Sequence, residues 1–312
     1  MGHGSSTPPP AALRSTSVLL LVGLIAALIG LNFTIIKFAL DDTTPLLLAG
    51  MRTVIGGTAL LSFAVIRGER LPTTARDLAK ILVVSFSITT VSSAFLILGI
   101  DRVPAGVGSL ISSTMPLFTA LLSFGLLRTR MSGAAAAGLV VGFAGTAVLA
   151  SPSLSGDAAA VGIGLLVLSA IAWAFGTVFM RWKDFSHLSP IVIVGVQLYM
   201  SAAVLIPTAL IVEGTADTEV TGRLVGAVLY AAIPANAVTF ALMAYVTQRA
   251  SPTQAAASAY LIPVFGVLFA WLLRDEVLGT TEFAGGVLVV IGVYLVVSRP
   301  ARTQTRDGSQ AS

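Results

Sequence analysis

The chain has 312 residues, of which 56% are hydrophobic and 10% charged, with a net charge of +4 and no cysteine. A soluble domain carries about 25% charged residues; a mean hydropathy of +0.95 leaves too little polar surface to face water, so a bilayer is the expected solvent. Disulfides, zinc–thiolate sites and thiol nucleophiles are excluded, and the two histidines, His3 and His187, fall in a tail and a loop, which removes most metal and His-base chemistry.

Residues 1–16, with Pro8, Pro9 and Pro10 in a row, read as a disordered tail. Ten apolar segments follow, at 17–40, 44–66, 80–100, 106–127, 132–150, 160–180, 190–212, 224–246, 253–273 and 281–297. Each has the roughly 17–25 residues that a helix needs to cross about 30 Å of hydrocarbon. The first is too long for the apolar part of a signal peptide and is expected to stay as a span. Its stretch IGLNFTIIKFAL sets Asn32 and Lys37 among apolar residues with no acid beside them. Lys37 lies near the outer end, where it either snorkels to the interface or meets the substrate path. Asn32 is deeper and reads either as an interhelical hydrogen bond or as a cavity-lining amide.

Arg52, in the second segment, is about 12 Å from the segment's start at 1.5 Å per residue. An arginine at that depth costs at least about 2.5 kcal/mol unless it faces protein or a wet cavity. It has two readings, a functional or gating cation and a structural donor to carbonyls. Further along the chain, polar groups precede prolines or face the interior. These are Ser112, Ser113 and Thr114 before Pro116; Trp173 and Thr177; Gln197; Asn236; and Gln254, Ser258 and Tyr260 before Pro263. Each proline leaves a helix carbonyl without its donor, which either kinks the helix as a hinge or exposes an acceptor to a ligand. Gly138, Gly142, Gly145, Gly285, Gly286 and Gly292 read as close-packing positions, and Trp173 as packing or substrate stacking. The tail 299–312 is polar and expected to be disordered.

Orientation follows from the loops. With the N-terminus cytoplasmic, that side collects thirteen Lys and Arg and the other only three, Arg102, Arg223 and Arg274. The positive-inside rule then places both termini in the cytoplasm of a multi-pass cell-membrane protein. Cations this scattered do not form a nucleic-acid footprint, so the expected partners are lipid and a small metabolite. Neither a metal nor a cofactor is expected, and the chain is expected to act as a monomer.

The chain also repeats. A shift of 147 residues sets Arg102 on Arg249, Pro116 on Pro263, Phe118 on Phe265, Gly138 on Gly285, Gly145 on Gly292 and Ser151 on Ser298. A looser match sets Pro45 on Pro190, a shift of 145, and Lys37 on Arg181, a shift of 144. Five segments per copy is an odd number, so the second copy enters the membrane from the opposite side. Such inverted repeats are typical of secondary transporters, which hold substrate near the midplane between the halves.

The residues resemble those of a family. Ile29-Gly30-Leu31-Asn32-Phe33 with Lys37 after it, PLLLAGMRTVIGG (45–57), RVPAGVGSLISSTMPLFTALLS, AIAWAFGTVFMR (170–181) and YLIPVFGVLFAWLLRDEVL (260–278) are similar to EamA-type transporters of the drug/metabolite transporter superfamily. The resemblance spans 17–298. It implies an all-α integral membrane protein of ten transmembrane helices, in two inverted-topology EamA repeats at 17–150 and 160–298, moving small metabolites. Two positions depart from the family pattern: Ile29 stands for the usual Trp, and Arg128 and Arg130 stand where the second copy has Asp275 and Glu276. No role for a symmetric pair of acids is therefore carried over.

No Asp or Glu lies mid-segment, which argues against an intramembrane carboxylate relay for protons. The deep charge is cationic, so it favours a substrate with a carboxylate. Export of metabolites such as amino acids, by alternating access, is the expected function. The alternatives are a multidrug exporter, a carrier of nucleotide-sugars or phosphorylated metabolites, and a polytopic membrane enzyme, the last disfavoured because no nucleophile–base set is present.

Overall fold

The computed structural model describes residues 15–127, 132–152, 156–249 and 258–297. Gln254 and both tails lie outside them. The described residues are helical throughout their apolar stretches: α1 (Ser15–Ala39), α2 (Pro45–Ile66), α3 (Ala75–Arg102), α4 (Ala105–Leu127), α5 (Gly133–Ala150), α6 (Asp157–Trp182), α7 (Pro190–Val212), α8 (Gly222–Val238, continued by Thr239–Arg249), α9 (Ser258–Arg274) and α10 (Thr280–Val297). Eight are long and apolar enough to cross a membrane; α9 and the Gly222–Val238 part of α8 are shorter apolar helices. Large apolar side chains such as Leu20, Val140, Phe283 and Tyr294 are exposed on the outside, as an apolar solvent permits.

Local chemistry fixes the helix ends. Pro45 and Pro190 open α2 and α7, where the missing N–H costs nothing. The Ser132 and Thr221 hydroxyls accept from Ala135 N and Leu224 N and so cap α5 and α8. Gly68 (φ 69°) and Gly214 (φ 71°) follow α2 and α7 in the left-handed conformation that a side chain resists.

Three helices are not regular. α3 is π-helical over Ser85–Val91, where the Ser85 hydroxyl donates to Gln197 O (2.7 Å) on α7 and the Ser87 hydroxyl to Val83 O (3.1 Å). Hydroxyls competing for carbonyls weaken the ordinary ladder. α8 is π-helical over Ile233–Val238, where Pro234 has no N–H to give back to the preceding turn. α4 breaks into Ala105–Ser112 and Met115–Leu127, so Pro116 sits in the first turn of a new helix, whereas Pro263 lies inside α9.

The small-residue positions are a packing seam. A Cβ on Gly145 would lie 2.7 Å from Leu288 Cβ and from Val289 N, and one on Gly138 would lie 2.8 Å from Gly292 O. Backbones of α5 and α10 therefore touch through their glycines.

Side-chain bonds tie the two halves of the chain at both ends of the bundle. At one end Asp42 accepts from Thr221 Oγ1 (2.6 Å) and Arg223 Nε (2.8 Å) and forms a second, short bond with Arg223 Nη2. The Arg223 guanidinium beside it, then the Thr221 hydroxyl, hold the Asp42 carboxyl down at about 2. Glu213 accepts from Leu46 N (3.0 Å) and Leu47 N (3.3 Å), capping α2 from the far half of the chain. At the opposite end His187 Nε2 lies 3.0 Å from Asp77, and Lys80 reaches both Asp77 (3.3 Å) and Asp184 O (3.0 Å).

Candidate functional site

A cleft opens between α2, α3, α6, α7 and α8. It is lined by Arg52, Thr53, Ile88, Thr89, Ser93, Trp173, Val194, Gln197, Leu198, Asn236 and Phe240. Its two irregular walls are the π-helical turns, which supply Ile88 and Thr89 on one side and Asn236 on the other. A π turn widens the helix and displaces side chains from regular spacing, a feature frequent at functional sites.

Arg52 is 7% exposed, yet among the described residues no carboxylate pairs with it. Its guanidinium donates once, from Nη2 to Ser93 Oγ at 2.7 Å, and Nε has no partner. A buried cation normally has an anion and a full set of acceptors. Gln197, 5% exposed, has a free Oε1, and the Thr89 hydroxyl is free as well. Unsatisfied groups of both polarities thus meet in one cleft.

The cleft brings together four residues that the sequence singled out, Arg52, Trp173, Gln197 and Asn236. Others lie elsewhere. Lys37 gives all three ammonium protons to the end of α3, to Ile100 O (2.8 Å), Asp101 O (3.2 Å) and Val103 O (2.7 Å). Ser113 donates to Ser109 O (2.8 Å) and Thr177 to Trp173 O (2.9 Å), both local helix bonds. Asn32 Oδ1 and Ser112 Oγ are buried without partners but do not line the cleft. Ser258 is buried, and the Tyr260 ring packs on Tyr294 with centroids 5.7 Å apart.

The same two registers that align the halves of the sequence organise the cleft. Matching Pro45 to Pro190 also matches Arg52 to Gln197 and Thr53 to Leu198. The 147-residue shift matches Thr89 to Asn236 and Ser93 to Phe240, and carries 86–91 onto the π turn Ile233–Val238. Equivalent positions of the two copies therefore face one space. The chain matches the EamA-like transporter family over residues 16–151 and again over 160–298. It belongs to that family.

This EamA protein is thus an integral membrane transporter with a two-repeat architecture. Among its relatives is a probable amino-acid metabolite efflux pump of Escherichia coli (strain K12), 30% identical, the match covering 88% of this chain and 92% of the pump. An uncharacterized transporter of Bacillus subtilis (strain 168) is 28% identical over 91% of this chain and 92% of its own length. The uncharacterized inner membrane transporter YedA of Escherichia coli (strain K12) is 29% identical over 92% and 96%. A solved crystal structure, 20% identical, shares the fold with a TM-score of 0.64 over 91% of this chain and 98% of the other.

Sequence reasoning missed Thr53, Ile88, Thr89, Ser93, Val194, Leu198 and Phe240. The internal registers could have found Thr89, which the 147-residue shift sets on Asn236. Ser93, the partner of Arg52, lies 41 positions away and carries no local signal.

Proposed function

We propose that this EamA transporter exports small carboxylate-bearing metabolites such as amino acids, by alternating access between two inverted five-helix repeats with both termini cytoplasmic. The observation that carries this reading is Arg52, a buried guanidinium without a carboxylate partner among the described residues, facing a cleft between equivalent positions of the two copies. A substrate carboxylate supplies the missing charge and accepts from the free Nε. The efflux pump among the relatives supports the same substrate class.

Alternating access supplies the room. The cleft encloses a cavity of about 50 Å³, whereas ligand pockets occupy about 300–1,000 Å³. Helices must therefore separate at one end to admit a substrate. The Asp42–Arg223 bonds at one end and the Asp77–Lys80–His187 group at the other are the contacts that such rocking breaks in turn.

A thermal-shift screen of detergent-solubilised protein tests the reading. Amino acids, organic acids, nucleotide-sugars and cationic drugs are compared, since a ligand of the folded state raises the melting temperature by mass action. Hits among carboxylates that vanish in Arg52→Ala are expected. Hits confined to cationic drugs would overturn it in favour of a multidrug exporter.

A further inference from the structure

We infer that the cleft selects a zwitterion with an apolar side chain, holding its carboxylate on the first repeat and its ammonium between Gln197 of the second repeat and Thr89 of the first. The inference rests on the cleft being the substrate site and goes further, to which end of the substrate meets which half of the protein.

Three buried polar atoms in the cleft lack partners, and their polarities differ. Arg52 Nε is a donor, Gln197 Oε1 is an acceptor, and Thr89 Oγ1 can accept. A carboxylate alone answers Arg52 Nε and can accept the Thr89 O–H, and leaves the buried Gln197 amide oxygen unsatisfied. An amine alone leaves the guanidinium uncompensated. A hydroxyl brings one proton for two acceptors. An ammonium brings three, enough for Gln197 and Thr89 together. A carboxylate and an ammonium on one small molecule therefore complete the set.

The walls divide in the same way. Arg52, with Ser93 holding its Nη2, comes from the first copy, and the first-copy positions Thr53 and Ser93 match apolar Leu198 and Phe240 in the second. Trp173 and Phe240 are 38% and 39% exposed, so their rings are available at the cleft. The carboxylate lies against the first repeat, and the side chain against Trp173, Leu198 and Phe240 of the second. The carboxylate and the side chain thus meet opposite repeats and the ammonium bridges both, so the full set of contacts exists only when the two repeats close on the substrate.

The test compares binding of L-phenylalanine with its des-amino analogue phenylpropionate and its decarboxylated analogue phenethylamine, on full-length purified protein. L-phenylalanine is expected to bind at least about tenfold more tightly than either, the worth of one charge-assisted bond to an otherwise unsatisfied buried group. Gln197→Leu should shrink the advantage over phenylpropionate to less than about threefold. Thr89→Val, a smaller change in packing, should shrink it in the same direction. Equal binding of phenylalanine and phenylpropionate to the wild-type protein, or an undiminished advantage in both variants, overturns the inference and leaves the carboxylate carrier standing. Binding of none of the three by folded protein overturns both.

Discussion

Arg52 and Lys37 are both cations within apolar segments, and at the level of single side chains they have opposite lives. Lys37 is fully committed to three carbonyls, where it completes the end of α3 and meets the negative pole of that helix. Arg52 keeps a donor free and has no counter-charge among the described residues. Substitution should separate them. Lys37→Met is expected to lower the stability of the protein by about 1.5–3 kcal/mol, the usual worth of bonds to a charged group, with substrate affinity unchanged. Arg52→Met is expected to do the reverse. Removing a buried, uncompensated charge should raise the melting temperature of the substrate-free protein while abolishing substrate-induced stabilisation. Paired thermal melts with and without ligand read both. From the sequence alone Arg52 was the sharper case, because depth along a helix is visible in the chain, whereas bonding partners 41 or 63 positions away are not.

At the scale of helices, the glycines of α5 and α10 were legible as close-packing positions, but not that the two helices pack on each other. Gly145→Val is expected to cost about 1–3 kcal/mol, since its side chain meets backbone that cannot step aside; chemical or thermal denaturation in detergent measures it. The π turns were not legible. They go with the Ser87 hydroxyl's bond to Val83 O in α3 and with Pro234 in α8, and apolar periodicity registers neither. The break in α4 shows the same limit, since Pro116 begins a helix and Pro263 is carried within one.

The end loops also act as elements. With the Asp42 carboxyl held at about 2, against about 3.9 in an unfolded chain, its bonds stabilise the fold fully above the unfolded value. That stabilisation is lost as pH falls through about 2. Asp42→Asn should therefore melt earlier than wild type at neutral pH, and the gap should close in strong acid. The chain has no cysteine of its own, so a single cysteine placed beside the cleft reports access cleanly. Asp42→Asn is expected to speed its labelling from the Asp42 end, because the bonds holding α1 to the start of α8 are gone.

For the whole molecule, the repeat was the most informative feature of the sequence. It implied a chain built of two copies, and the family match over 16–151 and 160–298 follows the same division. Its use for the site is subtler. The two copies have kept equivalent positions facing one cleft but diverged in chemistry, Arg52 against Gln197 and Ser93 against Phe240. A site built by divergence inside a symmetric frame has no contiguous motif, so only the pairing of distant positions reveals it.

The central claim is that Arg52 recognises the carboxylate of a transported metabolite. The most direct measurement is counterflow of a radiolabelled amino acid into proteoliposomes loaded with the unlabelled compound, for wild type, Arg52→Lys and Arg52→Ala. The account predicts accumulation by the wild-type protein, a reduced signal in Arg52→Lys, which keeps the charge without the guanidinium fork, and none in a folded Arg52→Ala. Undiminished counterflow in Arg52→Ala would contradict it.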